Sequence, residues 1–242
     1  MKINYRNLKK QLIASIICLT CSLSINAQLS SKHHIPPLNA GPDPIGTWLR
    51  DQYISISTPY TSPFDVEIAL PDGTVLSTIT IIGGSSYDYY IGSSQPTNLF
   101  VDDTDLATVI NDKGFIVSAD YDFYVTVKLE ANSQAEIISS KGSEGEGTSF
   151  RVGSVPNSST NSSRNFVTSF MATEDNTTVT VSDYDTDVIF TTATGDDLTD
   201  DTLTYTLNEG ESVVLTGRVT ATTTNMTGFI CLLYTSPSPR DA

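Results

Sequence analysis

Short runs of alternating apolar and polar residues fill residues 28–230, and this pattern most constrains the fold. The runs are rich in Val, Ile, Thr, Tyr and Phe, and none repeats its apolar residues at the 3.6-residue period of an amphipathic helix. Turn sequences such as Pro71-Asp72-Gly73 and Asn208-Glu209-Gly210 separate the runs. Many short strands with regular turns predict an all-β, antiparallel, β-sandwich-like architecture. The predicted strands are Tyr53–Ser57, Phe64–Leu70, Val75–Ile81, Tyr87–Ile91, Thr108–Ile110, Gly114–Ala119, Phe123–Glu130, Ala135–Ser139, Ser149–Val155, Asn165–Ala172, Thr177–Ser182, Val188–Thr192, Leu203–Leu207, Ser212–Thr216 and Gly228–Ile230.

An internal repeat divides these strands into two related units. Asp72-Gly73-Thr74-Val75 in the first unit matches Asn176-Thr177-Thr178-Val179 in the second, and Gly114-Phe115-Ile116 matches Gly228-Phe229-Ile230. We therefore predict a first β unit with its N-terminal segment at residues 28–156, a polar linker at 157–164 and a second unit at 165–230. Because the β pattern stops directly after the second Gly-Phe-Ile, we expect the second unit to be truncated and its last residues to be poorly paired.

The N-terminal residues 1–27 have the layout of a secretory signal peptide. Basic residues including Lys9 and Lys10 precede the apolar run from Leu12 to Leu23, and the small residue Ala27 follows it. The run is too short for a spanning helix, so we expect cleavage after Ala27 and a secreted or outer-surface protein. The alternative is a lipoprotein signal at Cys18 or Cys21, which the residues before these cysteines disfavour.

The C-terminal residues 231–242, CLLYTSPSPRDA, differ abruptly from the Thr- and Val-rich pattern before them. They resemble the translation of a transposase sequencing adapter in one reading frame. We expect them to be a non-native tail, with the natural gene continuing beyond Ile230. The alternative is a genuine Pro-rich linker.

The charge balance excludes several classes of protein. The whole chain has a formal net charge of -15, and residues 28–230 contain 8 basic and 27 acidic residues. A nucleic-acid binder or a protein that adheres to anionic membranes needs a basic face, so neither class is expected. The three cysteines all lie outside residues 28–230. A disulfide scaffold, a thiol nucleophile and a Cys-ligated metal are therefore excluded from this body of the chain.

Five segments of the chain follow one another in an order that matches a known family. They are HHIPPL at 33–38, YISISTPYTSPFDVEIALPDGT at 53–74, KGFIVSADYDFYVTVKL at 113–129, AEIISSKGSEGEGTSFRVGSVP at 135–156 and NFVTSFMATEDNTTVTVSDY at 165–184. Together they resemble the N-terminal domain of IgGFc-binding proteins, in the versions found in secreted surface proteins of Bacteroidetes-type bacteria. This resemblance implies an all-β, non-enzymatic domain near the start of a large extracellular protein, and it does not imply that this chain binds immunoglobulin.

The residues offer little for catalysis. His33 and His34 are the only histidines, and no Gly-x-Ser-x-Gly or phosphate-binding glycine loop is present. We interpret this histidine pair as a structural start of the domain, and we predict no catalytic and no cofactor-binding residues. A carbohydrate-active enzyme that uses two of the many carboxylates stays an alternative. Its chemistry depends on the distance between the two carboxyl groups, which the sequence does not give.

Two residue clusters are candidate binding sites. Asp183, Asp185 and Asp187 alternate along the chain and are a weak Ca²⁺ candidate, although the spacing is not that of an EF-hand loop. A solvated acidic surface is the alternative for these residues and for the other clusters. The other acidic clusters are Asp102, Asp103 and Asp105, and Asp196, Asp197, Asp200 and Asp201.

The second candidate site is a cluster of tyrosines. A strand would place Tyr87 and Tyr89 on one face and Tyr90 on the other. These rings form either a platform for a carbohydrate or part of the core packing.

The sequence thus predicts a non-enzymatic extracellular binding or adhesion module, forming the N-terminal part of a larger cell-surface or secreted protein. Its expected partner is an extracellular protein or a glycan, with no nucleic acid and no insertion into a membrane after signal cleavage. The alternatives are the carbohydrate-active enzyme and a structural spacer that binds no ligand.

Overall fold

The computed structural model describes residues 28–40, 49–132, 134–153, 166–184, 188–198, 200–219 and 230–235. Across these residues the chain is all-β, as the sequence predicts, with only short 3₁₀ turns at Asp103–Asp105 and Gly142–Gly145. The strands are β1 (Ser30–Ile35), β2 (Leu49–Ser57), β3 (Phe64–Ala69), β4 (Val75–Ile81), β5 (Ser86–Ser93), β6 (Phe115–Ala131), β7 (Gln134–Ser139), β8 (Ser149–Gly153), β9 (Phe166–Met171), β10 (Thr177–Ser182), β11 (Val188–Thr191), β12 (Asp197–Leu198), β13 (Thr202–Leu207), β14 (Ser212–Val219) and β15 (Ile230–Thr235).

The first unit is organised around the 17-residue strand β6. The N-terminal half of β6 pairs with β1 and β3, and its C-terminal half pairs with β2 and β7. Two antiparallel sheets, β4-β3-β6-β1 and β5-β2-β6-β7, therefore share this strand. The prediction of two separate strands here is wrong, since the polar residues Asp120 and Asp122 lie inside one strand at a register shift against β1.

The core of the first unit fills the space between these two sheets. Alternate residues of β2 and β3 point inward, and Ile54, Ile56, Val66 and Ile68 are fully buried. Burying each such side chain contributes about 1.5–3 kcal/mol. The period of two that predicted the strands is therefore the period of the core.

The second unit consists of two antiparallel sheets with the orders β13-β10-β15-β8 and β12-β11-β14-β9. Its separate core includes Val181, Phe190, Leu207 and Leu215, which are all fully buried. The aromatic ring of Phe190 meets those of Phe166 and Tyr184 edge-on, with centroids 6.3 and 5.1 Å away.

The two units share one strand topology. In the first sheet, β4, β3, the N-terminal half of β6 and β1 correspond in order to β12, β11, β14 and β9. In the second sheet, β5, β2 and the C-terminal half of β6 correspond to β13, β10 and β15. The position of β7 is taken by β8. The repeat is real, but its predicted landmarks are wrong: Thr177 begins the counterpart of β2, whereas the Asp72-Gly73 turn corresponds to the β11–β12 turn at Gly195.

Several other expectations need correction. β8 lies inside the predicted first unit, yet it pairs with β15 of the second. β15 itself pairs with both β10 and β8, so the expectation of poorly paired final residues is wrong for Ile230–Thr235. Strand pairing is made by backbone groups, so a segment can pair even where its sequence is a non-native tail. The residues Leu232, Leu233 and Tyr234 are compatible with a strand. Thr108–Ile110 forms only an isolated bridge from Ile110 to Ser212. The predicted signal peptide at residues 1–27, the predicted linker at 157–164 and residues 236–242 lie outside the described residues.

The units contact each other through backbone and side chains. Ile110 and Ser212 exchange two backbone hydrogen bonds of 2.8 and 3.0 Å. Val101, Leu106 and Val214 form a buried cluster beside this bridge. At another contact, the Lys32 ammonium on β1 pairs with the Glu209 carboxylate on the turn before β14.

Candidate binding face

The outer face of the sheet β5-β2-β6-β7 carries a group of aromatic and charged side chains. In the strand register, Tyr90 lies opposite Tyr53, Tyr53 opposite Lys128, and Lys128 opposite Ile137. The neighbouring row places Asp88 opposite Ser55. Because directly opposed residues of antiparallel strands share a face, these side chains all point away from the core. We call this group the tyrosine face and define it by Asp51, Tyr53, Ser55, Asp88, Tyr90, Lys128 and Glu130.

Two tyrosine rings and one carboxylate form one end of the tyrosine face. The ring centroids of Tyr53 and Tyr90 are 5.4 Å apart and their planes are tilted by 52°. Both phenol hydroxyls donate to Asp51, at 3.2 Å from Tyr53 and 3.4 Å from Tyr90. Tyr90 is 52% exposed, so one of the two rings offers a large open surface. The shared carboxylate holds the rings in a defined orientation.

The Asp88 carboxylate organises the polar centre of the face. Its Oδ1 accepts a 2.5 Å hydrogen bond from the Ser55 hydroxyl and a 3.1 Å hydrogen bond from the Lys128 ammonium. The hydrogen bond from Ser55 and, to a lesser extent, the contact with Lys128 lower the pKa of Asp88. Asp88 is therefore ionised at neutral pH, and its charge is matched by that of Lys128.

Negative charge dominates around Tyr53. Desolvation raises the pKa of the Tyr53 phenol, and the hydrogen bond to Asp51 and the nearby charges of Asp51 and Glu130 raise it further. Among the described residues, Asp51 and Glu130 form no ion pair. The tyrosine end of the face is thus aromatic and anionic.

In the second unit, the strands β10 and β13, which correspond to β2 and β5, carry different residues on this face. There, Thr178, Thr180 and Ser182 of β10 lie opposite Thr206, Thr204 and Thr202 of β13. Ordinary hydroxyl side chains are therefore sufficient for this position of the fold. The rings and carboxylates of the tyrosine face are not required by the shared topology.

The predicted tyrosine platform is only partly correct. Tyr87 and Tyr89 share one face and Tyr90 takes the other, as the period of two predicts. However, Tyr87 and Tyr89 lie opposite Ile56 and Ile54 on the core side, where Tyr89 packs against the core. Tyr53, which the sequence analysis missed, is the actual partner of Tyr90. The register between β2 and β5 joins these two tyrosines, and only their presence on predicted strands hinted at it.

The acidic clusters mostly serve local structure where they are described. Asp102 caps the 3₁₀ turn Asp103–Asp105, and the Asp103 carboxylate accepts a 3.0 Å hydrogen bond from the Asn39 amide. The Asp196 carboxylate accepts from the Thr194 hydroxyl. Asp183 has a φ of +58°, while Asp185 and Asp187 lie outside the described residues. No group of three metal-binding side chains occurs among the residues described, and the Ca²⁺ site stays a prediction.

His33 and His34 have different surroundings. His33 is fully buried, with its Nε2 bonded to the carbonyl oxygens of Ser30 and Phe123 and its Nδ1 2.9 Å from the Ser140 hydroxyl. Burial lowers its pKa. Burial and the nearby Lys32 lower the pKa of His34 to about 4. The two rings do not converge on a shared ligand.

An open groove lies on the other sheet of the first unit. Its volume is about 320 Å³, and Asp65, Glu67 and Asp120 contribute its carboxylates. The remaining lining residues are small or hydroxylated, with no aromatic ring among them. The groove therefore lacks the aromatic stacking surface that sugar-cleaving clefts use to hold their substrate.

Among the residues that the structure describes, no helix is long and apolar enough to cross a membrane.

Comparison with known proteins supports the family resemblance over part of the chain. Comparison with curated proteins and with solved structures gives no match. A family model described as IgGFc binding protein matches residues 143–231, which contain β8 to β14 and thus most of the second unit. The match supports a relationship of this second unit to the IgGFc binding protein family and favours a binding module.

Proposed function

We propose that the chain is a non-enzymatic extracellular binding module and that its tyrosine face contacts a protein or glycan partner. The observation that carries this proposal is the difference between the two units. They share one topology, yet β2 and β5 hold tyrosines and carboxylates at outer positions where their counterparts β10 and β13 hold hydroxyl residues. Side chains that the fold does not need are candidates for a role outside the fold.

The chemistry of the tyrosine face suits recognition. Tyr90 exposes a large amphipathic ring, and such rings contribute strongly to interfaces because they bury area with little loss of conformational entropy. The hydrogen bonds from Tyr53 to Asp51 and from Ser55 to Asp88 fix the polar groups before any partner arrives. A preorganised face reduces the entropic cost of binding.

The extracellular and adhesive role rests on separate support. The N-terminal signal-like segment favours export, and the family match favours a binding domain. A position near the start of a larger cell-surface or secreted protein follows from the resemblance.

A binding assay with matched variants tests the proposal. The double variant Tyr53→Ala/Tyr90→Ala removes both rings, and Thr180→Ala/Thr204→Ala removes an opposed pair at the equivalent face of the second unit. Both proteins, together with the wild type, are measured against immobilised mucin, a glycan array and a panel of extracellular matrix proteins. We expect binding to at least one surface that the first variant loses and the second retains. Equal binding by all three proteins would show that the tyrosine face is not the binding site.

A further inference from the structure

The charges on the tyrosine face are unbalanced. Asp51, Asp88 and Glu130 contribute three carboxylates, whereas Lys128 contributes the one ammonium and is already paired with Asp88 at 3.1 Å. The neighbouring Arg50 guanidinium donates to Asn132 at 2.6 Å. Asp51 and Glu130 are therefore left without a cation among the described residues. A partner that supplies positive charge would complement this end of the face.

The two rings offer a second means of attracting a cation. Tyr53 and Tyr90 are tilted by 52° at a centroid distance of 5.4 Å, so the planes of the two rings form a corner. The negative face of an aromatic ring attracts an ammonium or guanidinium group placed within about 6 Å of its centre. Each phenol hydroxyl also donates a hydrogen bond to Asp51, which makes its ring richer in electrons.

The charge of the whole body of the chain favours the same class of partner. With 27 acidic and 8 basic residues over 28–230, the protein repels sialylated or sulfated glycans and attracts cations at long range. A neutral glycan could stack on Tyr90 but would leave the Asp51 charge uncompensated. A cationic side chain uses both the rings and the carboxylate.

We propose that the tyrosine face binds a basic segment of a protein partner, with an Arg or Lys side chain seated against Tyr90 and Tyr53 and paired with Asp51. This inference rests on the proposed function, because it names the partner of the same face. Arg fits the corner better than Lys, since its planar guanidinium stacks on a ring and donates to a carboxylate at the same time.

The test uses the full chain and two synthetic probes, an Arg–Ser repeat peptide and a Glu–Ser repeat peptide of equal length. Tyr90→Ala removes a ring without changing charge. Tyr121→Ala is its matched control, because Tyr121 is 54% exposed and packs on Tyr60 and Phe64 instead. We expect the Arg peptide alone to bind, and Tyr90→Ala to weaken its affinity roughly 2- to 30-fold while Tyr121→Ala leaves it unchanged.

A second variant protects the test against a folding defect. Asp51→Asn keeps the shape of the side chain and removes its charge, so it should weaken binding of the Arg peptide and reduce the dependence of affinity on salt. Circular dichroism on each variant establishes that the fold is retained.

Two outcomes would overturn the inference. If Tyr90→Ala and Asp51→Asn bind the Arg peptide as the wild type does, attraction is only general electrostatics. If instead a glycan binds in a manner that depends on Tyr90 and the Arg peptide does not, the inference fails while the proposed function stands. Absence of any binding that depends on Tyr90, to peptides, glycans or matrix proteins, would contradict both.

Discussion

The imidazole of His33 connects β1 to the backbone of Phe123 in the middle of β6. Its Nε2 lies 3.0 Å from the Phe123 carbonyl oxygen, and the two rings are 4.8 Å apart. Because Nε2 contacts two carbonyl oxygens, which only accept, it must carry the proton, and Nδ1 then accepts from Ser140. The neutral ring thus joins β1, β6 and the segment after β7.

Replacing His33 should destabilise the first unit substantially. His33→Ala leaves a cavity and unsatisfied carbonyl oxygens on Ser30 and Phe123, for which we expect a loss of about 2–5 kcal/mol in the free energy of unfolding. Lys32→Ala on the same strand removes only an exposed ion pair and should cost less than about 1 kcal/mol. Urea unfolding of both variants measures the difference. Equal losses would contradict a structural role of the His33 ring.

Two glycines with the same backbone conformation separate strain from steric contact. Gly73 and Gly114 have φ values of +87° and +86°. An added Cβ meets nothing within 4 Å at Gly73, whereas at Gly114 it would lie 2.6 Å from the Ile35 oxygen and 2.8 Å from Met171 Cε. Gly73→Ala therefore introduces only the cost of the left-handed conformation. We expect Gly114→Ala to lose about 1–3 kcal/mol more in urea unfolding; similar losses would show that the contact near Met171 relaxes freely.

The strands of this protein were predictable because their core positions repeat every second residue. Val75–Ile81 was predicted with its observed bounds, and β3 and β5 were placed within a few residues. β1 was missed, because its buried positions include the polar residues Ser30 and His33. Their burial depends on hydrogen bonds to residues far along the chain, which a local pattern does not contain.

The tyrosine face was only partly predictable for the same reason. The alternation of Tyr89 and Tyr90 followed from strand geometry, but which of them faced the core depended on the pairing with Ile54 and Tyr53. The landmarks of the repeat failed because similar turn residues occur at loops that are not equivalent. Local sequence specifies turns, whereas the register between distant strands specifies which side chains meet.

An exposed isoleucine on the edge strand β7 should promote self-association. Ile137 is 67% exposed on the outer face, and β7 pairs only with β6 among the described strands. Unpaired strand edges with apolar side chains favour intermolecular pairing. We expect Ile137→Lys to reduce the association seen by light scattering at high concentration without changing the melting temperature. Val109→Lys, at a loop residue that is 44% exposed, is the control and should leave association unchanged.

His34 should make the stability of the protein depend on pH. Its side chain is 10% exposed and its Nε2 lies 3.9 Å from the Glu209 carboxylate, with Lys32 and His33 also nearby. Burial, with Lys32, holds the pKa of His34 at about 4, below the value of about 6.5 expected when unfolded. The folded protein therefore binds fewer protons than the unfolded chain between these values. The contribution of His34 to the stability is therefore highest above about pH 6.5 and decreases as the pH falls towards 4.

The variant His34→Gln removes this titration and keeps a polar side chain. The difference in unfolding free energy between wild type and variant should shift in favour of the variant by up to about 3 kcal/mol as the pH falls from 6.5 to 4. The remaining carboxylates titrate in both proteins and cancel in the comparison. NMR titration of the His34 ring gives the pKa directly. A midpoint near 6.5 would mean that water reaches the ring, and the stability difference would then be independent of pH.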